Sequence, residues 1–358
     1  MRKFFRNIVL LFNLAAGFAL LIVYLSAYVS PEKFWMPAII GLAYPYILFI
    51  NLLFILYWLF GTSKYALVSL AFILLGFNHL QNYFSFSAKK TEEPGLVVVS
   101  YNIKQFEGKP DLSKSETANA ILDLVRSKEP DIVCFQEMAF MHRRGFDGFK
   151  KEFSLKGFPK YSHPAKRGGP VTFSAFPIIN TAEIHFEESG NMFIYTDVVA
   201  GQDTLRIFNC HLQSYQFSPK DISTLDSLSL NDQEKNMKGA RLFGGKLKRG
   251  FIQRAKQAEI LRSEIDQSPY PVIVCGDFND TPISYTYKLV RNKLKDAFVE
   301  SGAGIGNTYL GRLPSFRIDY ILHSDLFDGY NFAIDKVDYS DHYPVSCKLV
   351  RKTAKKEE

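Results

Sequence analysis

Acidic residues are almost missing from the first 90 positions of this 358-residue chain, where Glu32 stands alone against seven Lys and Arg. What fills the region is apolar: residues 8–29, 36–60 and 65–84 are each close to the ~20 residues needed to cross a bilayer. A cleavable secretory leader also begins with basic residues, as Arg2, Lys3 and Arg6 do. Here no small-x-small cleavage site follows the first run, so an uncleaved anchor is expected. Asn78, His79, Gln81 and Asn82 crowd the end of the third run, which with Tyr83 and Phe84 reads as an interfacial helix end.

A basic excess is missing from everything after Lys90, where 36 basic residues meet 35 acidic ones. All but one unit of the net charge of +7 therefore belongs to the apolar region, and the strongly basic footprint of a nucleic-acid binder is absent at the level of net charge. Cysteine is scarce as well. Cys134, Cys210, Cys275 and Cys347 fall in strand-like runs without metal-ligand spacing and are expected as small buried residues. A location outside the cytoplasm would permit disulfides, but an even count assigns none. Lys and Arg flanking the apolar runs weakly favour a cytoplasmic N-terminus. Three crossings would then put the rest of an integral membrane protein on the extracytoplasmic side of the cytoplasmic membrane.

Residues 88–95 are polar and turn-rich and read as a linker between an anchor over 1–87 and a domain over 96–351, with a charged tail at 352–358. Short runs rich in Val, Ile and Phe recur in that domain at 96–101, 132–135, 205–210, 272–275, 318–322 and 345–349. Ile121, Leu122, Leu124 and Val125 form a helical stripe before Pro130, and a second amphipathic helix is expected over 251–265. Roughly 265 residues of this mixed pattern suit one large α/β domain without internal repeats. Residues 213–249 break the rhythm, polar first and then basic. They read as a solvated loop inserted over the site, or as a flap touching substrate or anionic headgroups.

The chemistry gathers where strand-like runs end. Asn102 ends Ser100-Tyr-Asn-Ile103, Glu137 lies in Cys134-Phe-Gln-Glu-Met138, and His211 closes Ile207-Phe-Asn-Cys-His-Leu212. Asp277 and Asn279 share Gly276-Asp-Phe-Asn-Asp280, where strand alternation would send both to one side. Asp341 and His342 stand in Tyr339-Ser-Asp-His-Tyr-Pro344. A phosphodiester resists attack because its oxygens are anionic, so hydrolysis needs a cation, a base for water and help for the leaving oxygen. An amide beside a carboxylate offers the hard oxygens that Mg²⁺ takes.

Asn102, Gln136-Glu137, Asn209-Cys-His-Leu212, Gly276-Asp-Phe-Asn279, Arg317-Ile-Asp-Tyr320 and Ser340-Asp-His342 together resemble the ordered motifs of the endonuclease/exonuclease/phosphatase family over about residues 95–351. The resemblance implies a four-layered α/β/β/α sandwich with two mixed β-sheets, here preceded by about three transmembrane helices, and dependence on Mg²⁺ or Mn²⁺. It further implies Glu137 as the main metal ligand, with Asn102 and Asp341 beside it. His342 would be the general base oriented by Asp319, Asp277 would position or activate water, and Asn279 and His211 would hold phosphate oxygens. Base and acid assignments differ within the family, so Asp277 and His342 can exchange emphasis.

Departures bear on substrate. Cys210 stands where the family often has Thr, and Ala175 follows Gly168-Gly-Pro-Val-Thr-Phe-Ser174 where a basic residue is common. The expected activity is a membrane-anchored phosphodiesterase, nuclease-like, with a phospholipid phosphodiesterase or phosphoinositide phosphatase as the alternative. The expected partners are therefore a nucleic-acid or phospholipid phosphodiester and the bilayer. A non-catalytic module that binds phosphorylated ligands is disfavoured, because Glu137, Asp277, Asn279 and His342 are all present.

Overall fold

The apolar N-terminal region folds as helices, having none of the period-two alternation of a half-buried strand. They are α1 (Arg2–Leu25), α2 (Met36–Gly41), α3 (Tyr44–Leu59), α4 (Ala66–Leu75) and α5 (Phe77–Tyr83). Strands β1 (Phe84–Ser85) and β2 (Leu96–Asn102) lead to α6 (Lys114–Arg126), β3 (Ile132–Met138), β4 (Tyr161–Pro164), β5 (Gly169–Ser174), β6 (Ile178–His185), β7 (Met192–Ala200) and β8 (Asp203–His211). A long helix α7 (Gln233–Asp266) precedes β9 (Val272–Asp277), α8 (Tyr285–Arg291), β10 (Lys295–Asp296), α9 (Ala297–Ser301) and β11 (Gly304–Ile305). Strands β12 (Asp319–His323), β13 (Phe327–Ile334) and β14 (Val345–Arg351) complete the chain. This structure, a computed structural model, describes residues 2–352 apart from 62, 109–110, 139–159, 167, 188, 219–220, 222, 224–232 and 312–315. Two compact units emerge, Met1–Asn82 with Ser214–Ala258 and Thr281–Leu289, and Tyr83–Gln213 with Glu259–Asp280 and Val290–Glu358.

The first unit corrects the expectation of about three membrane spans. Among the described residues only α1, over Lys3–Leu25, is long and apolar enough to cross by itself. The second apolar run is divided because Pro45 has no N–H to donate and its ring crowds the carbonyl of Gly41 four residues back. The 16 residues of α3 then reach only about 24 Å, short of the roughly 30 Å hydrocarbon core. The third run bends by 71° between Ser63–Leu75 and Phe77–Tyr83. Gly76 at the bend lies against Tyr24, whose Cζ a β-carbon there would meet at 2.0 Å. The count is one span, or two if the bent pair is a single span, so the parity argument that put the rest of the chain outside loses its footing. Inside this unit Asn13 donates to Ser69 Oγ (2.5 Å) and accepts from Trp58 (2.8 Å), and Ser69 donates to Asn51 (2.9 Å). These bonds join α1, α3 and α4 through side chains removed from solvent.

The stretch 213–249 keeps the expected loop only over its described start, 213–218. Its described second half is the start of α7, where Leu247, Phe251 and Phe243 pack with Ala38, Ile39 and Leu42. Helical spacing of these apolar residues was hidden by the basic side chains between them. Residues 224–232 of the expected insertion lie outside the described residues.

In the second unit two six-stranded mixed sheets run in the orders β10-β12-β9-β8-β7-β6 and β13-β14-β2-β3-β5-β4. The β2–β3 and β8–β9 pairs are parallel and the other pairs antiparallel. Strand alternation turns Val98, Cys134, Ile207, Ile273, Ile321 and Cys347 into one core cluster drawn from both sheets. The opposite faces of β2 and β3 carry Val99, Tyr101, Val133 and Phe135 against Ile121, Leu122 and Val125 of α6. Helix α6 starts at Ser113, which exchanges hydrogen bonds with Glu116 in a capping box. All four cysteines are buried and unbridged, so each acts as the small apolar residue expected.

Candidate active site

Sheet register assembles the polar residues before any side chain turns. In the first sheet His211 pairs with Asp277 in parallel and Asp277 pairs with Asp319 in antiparallel, setting the three abreast. In the second, Asn102 pairs with Gln136, and the β3–β5 register slips between Phe135 and Met138, so a bulge re-aims Glu137 at a positive φ of 54°. Two buried amides tie the sheets together just beneath. Gln136 Nε2 donates to Asn209 Oδ1 (2.8 Å), while Asn209 Nδ2 donates to the carbonyls of Phe135 (3.1 Å) and Val171 (3.0 Å).

Gly276 is fixed by its neighbours. Its φ is +140°, and a β-carbon would meet Cys210 O at 2.0 Å. Glycine alone lets β9 approach β8 closely enough to align Asp277 with His211.

Asn279 reaches the site by a turn rather than by continued strand alternation, since β9 stops at Asp277. The turn gives Asn279 a φ of +51°. Its N–H then donates to Asp277 Oδ1 (2.7 Å), and its Nδ2 to Leu212 O (3.0 Å) and Asp277 Oδ2 (3.2 Å). Asn102 Nδ2 donates to Glu137 Oε1 (3.0 Å) and Asp277 Oδ2 (3.1 Å). The oxygen of Asn102 accepts from Lys104 N (3.1 Å), so the amide clamps two carboxylates. His211 Nε2 lies 3.5 Å from Glu137 and 3.9 Å from Asp277.

His342 sits between two carboxylates, with Nδ1 3.0 Å from Asp319 Oδ2 and Nε2 3.6 Å from Asp277 Oδ2. Burial alone would depress its pKa, but Asp319 and Asp277 override this and raise it to about 10, so the ring is an imidazolium at neutral pH. Burial pushes Asp277 up to about 6 despite the opposing pull of His342. Ser340 Oγ donates to Asn102 O (2.7 Å) and accepts from His342 N (3.3 Å), pinning the loop to β2. Asp341 is held by Lys104 Nζ at 2.9 Å.

The sequence-level candidates Asn102, Glu137, His211, Asp277, Asn279, Asp319, Asp341 and His342 thus meet at one pole of the two sheets. Lys104 and Tyr309 complete the wall without having been singled out. Lys104 follows Asn102 by two residues in a tight turn of positive φ, and Tyr309 has no motif around it. The Tyr309 ring lies 5.2 Å from that of His342. Burial, helped by Asp341, Asp277 and Glu137, lifts its hydroxyl to about 12.

Asp277, Asp319 and His342 have ligand atoms within 4.8 Å of one another. Both imidazole nitrogens face carboxylates, so this trio suits proton handling better than metal ligation. Around it Glu137 and Asp341 add two further carboxylates. Four acids facing one imidazolium and one ammonium form an oxygen-rich, negative donor set that fits a hard divalent cation.

A two-sheet α/β scaffold with such a pole defines a hydrolase of phosphoester bonds. The Endonuclease/Exonuclease/phosphatase family model matches residues 99–342, and the chain belongs to that family. A second model, described as a domain of unknown function (DUF8431), matches residues 6–83. No curated protein matches the chain. Among solved structures, D. rerio TDP2 complexed with single strand DNA product is similar at 15% identity and a TM-score of 0.52, covering 72% of this chain and 100% of that one. TDP2 from Caenorhabditis elegans is 17% identical with a TM-score of 0.51, covering 82% and 83%. An endonuclease/exonuclease/phosphatase from Beutenbergia cavernae is 17% identical with a TM-score of 0.50, covering 72% of each chain. These likenesses support the fold.

Proposed function

We propose that the chain is a membrane-anchored, divalent-metal-dependent phosphodiesterase in which water attacks phosphorus directly. The convergence of Glu137, Asp277, Asp341 and the Asp319–His342 pair at one pole carries this reading. Glu137, Asp341 and the Asn102 amide are the groups that would hold Mg²⁺ or Mn²⁺. Bound there, the cation neutralises phosphate charge and makes phosphorus a better electrophile.

The chain's own groups handle the protons. Asp277, with a pKa of about 6, accepts the proton of the attacking water. His342, held as imidazolium by Asp319, hydrogen-bonds a phosphoryl oxygen and protonates the leaving oxygen. The electrostatics therefore favour Asp277 as base and His342 as acid, the exchange of emphasis left open by the sequence. Asn279 and His211 position the remaining phosphate oxygens, and the products are a phosphomonoester and an alcohol, with no covalent enzyme intermediate.

The anchor reading rests on the apolar length of α1 and on exposed Leu11 and Phe12 of α1, Phe49 and Leu53 of α3, and Leu67 and Leu74 of α4. Apolar surface on this scale needs a cover such as lipid. Replacing Glu137 or His342 by Ala should each abolish hydrolysis of a bis-aryl phosphodiester while near-UV circular dichroism stays native. Metal affinity, measured by calorimetry, should fall chiefly in Glu137→Ala. Wild-type turnover in either variant contradicts the role given to that residue.

A further inference from the structure

We propose that a groove beside the catalytic loop holds an acyl chain, which makes the substrate a phospholipid; this rests on the phosphodiesterase reading above. The groove is a cavity of about 650 Å³ whose apolar wall includes Phe84, Phe298, Ile305, Leu310, Phe332 and Ile334. That volume lies within the roughly 300–1,000 Å³ of small-molecule sites. Lys336 is the one charged residue among its described lining.

The groove and the catalytic centre share a strap of backbone. Leu310 N donates to Asp341 O (2.7 Å), Tyr343 N donates to Thr308 O (2.7 Å), and Tyr309 forms a β-bridge with His342. Tyr343, the residue after His342, lines the groove. Leu310 and Tyr343 line the cavity while their chain neighbours Tyr309 and His342 face each other at the centre, so a substrate with phosphorus at the centre has this cavity beside it for an apolar tail.

The rim extends the argument. Pairing of β1 with β11 displays Phe86 at 78% and Ile305 at 64% exposure, and the rings of Phe84 and Phe86 lie 4.4 Å apart. Bare apolar side chains beside a cavity with an apolar wall form the kind of patch that a lipid covers. Strand β1 follows directly on α5 in the chain, so the rim is continuous in sequence with the apolar region. A single-stranded nucleic acid asks for something else, cations tracking the backbone together with exposed ring faces for bases, and the one Lys in the described lining of the groove does not supply a track. The reaction balances as hydrolysis: water adds to phosphorus, the phosphorus–oxygen bond to the leaving alcohol breaks, and the alcohol takes the proton given up by His342.

The test uses the full chain in nanodiscs containing a phosphatidylcholine with a diazirine near the end of one acyl chain. After irradiation, adducts should map to residues 303–310 and 327–336. They should fall at least tenfold in Ile305→Asp and in Ile334→Trp, while both variants keep wild-type turnover of a bis-aryl phosphodiester. Adducts confined to residues 2–83, or undiminished groove labelling in both variants, overturn the proposal. So does efficient labelling of the groove by an oligonucleotide with a photoreactive base in place of the lipid. Groove labelling that obeys the variants, in a wild type that turns over no bis-aryl phosphodiester, supports the acyl site and overturns the phosphodiesterase reading alone.

Discussion

Replacing Asp319 by Asn leaves the shape of the His342 pocket intact and removes one charge at 3.0 Å from Nδ1. At that distance and an effective dielectric of roughly 20, the lost attraction is about 5 kcal/mol, equivalent to roughly four pH units in the titration of the imidazolium. The wild-type ring, raised to about 10, should therefore titrate near pH 6 in the variant. Burial, which already works against the charged ring, pushes in the same direction. Because the folded value lies above the ordinary 6.5, the stabilisation from this charge is fully present below about pH 6.5 and disappears as pH rises through about 10. The gap in stability between wild type and Asp319→Asn should be wide near neutrality and close above pH 10. Ring-labelled histidine NMR of metal-free protein, with His342→Gln to assign the resonance, reads the titration directly. If the His342 resonance still titrates within one pH unit of 10 in Asp319→Asn, the carboxylate is not what holds the proton, and the acid role given to His342 fails with it.

Gly276→Ala should destabilise the protein by about 3 kcal/mol or more, since it combines a strained φ with a backbone overlap. Hydrolysis should be lost with it, and a urea midpoint equal to wild type refutes the close approach of β9 to β8. Asn209→Ala removes the side-chain donor to the carbonyls of Phe135 and Val171 and one of the three acceptors of Gln136 Nε2, which keeps Ser100 Oγ and Cys134 O. At about 1–3 kcal/mol for each buried group left unpaired, the loss should reach several kcal/mol in urea denaturation, and one below about 0.5 kcal/mol denies the tie between the sheets.

Strand ends were the most legible feature of this chain. Leu96 to Val99 and Val272 to Cys275 are apolar runs too short for helices, and Asn102 and Asp277 just beyond them stand where a sheet runs out and a site begins, whereas Asp341 and His342 come just before the strand Val345–Arg351. What the runs do not encode is pairing across the molecule. The Glu137 bulge, the turn that folds Asn279 back on Asp277, and the grip of Lys104 on Asp341 depend on positive-φ backbone that alternation cannot register. Membrane spans were overcounted because hydropathy adds up residues whether or not Pro45 and Gly76 let the helix continue. The start of α7 was missed for the opposite reason, since Leu247 and Phe251 are diluted by Lys246, Lys248 and Arg249 in composition while remaining on one helical face. Tyr309 has no signal of its own in the sequence, because its place beside His342 comes from a bridge between segments 33 residues apart.

The central claim is metal-assisted attack of water on a phosphodiester, and the most direct measurement is turnover of a bis-aryl phosphodiester by the full chain in ¹⁸O-labelled water. It should be run with Mg²⁺ or Mn²⁺ and again after EDTA. The account predicts hydrolysis that EDTA abolishes and added metal restores, with one solvent oxygen in the phosphomonoester. Turnover indifferent to EDTA, solvent label in the alcohol product, or no turnover by folded, metal-loaded protein contradicts it.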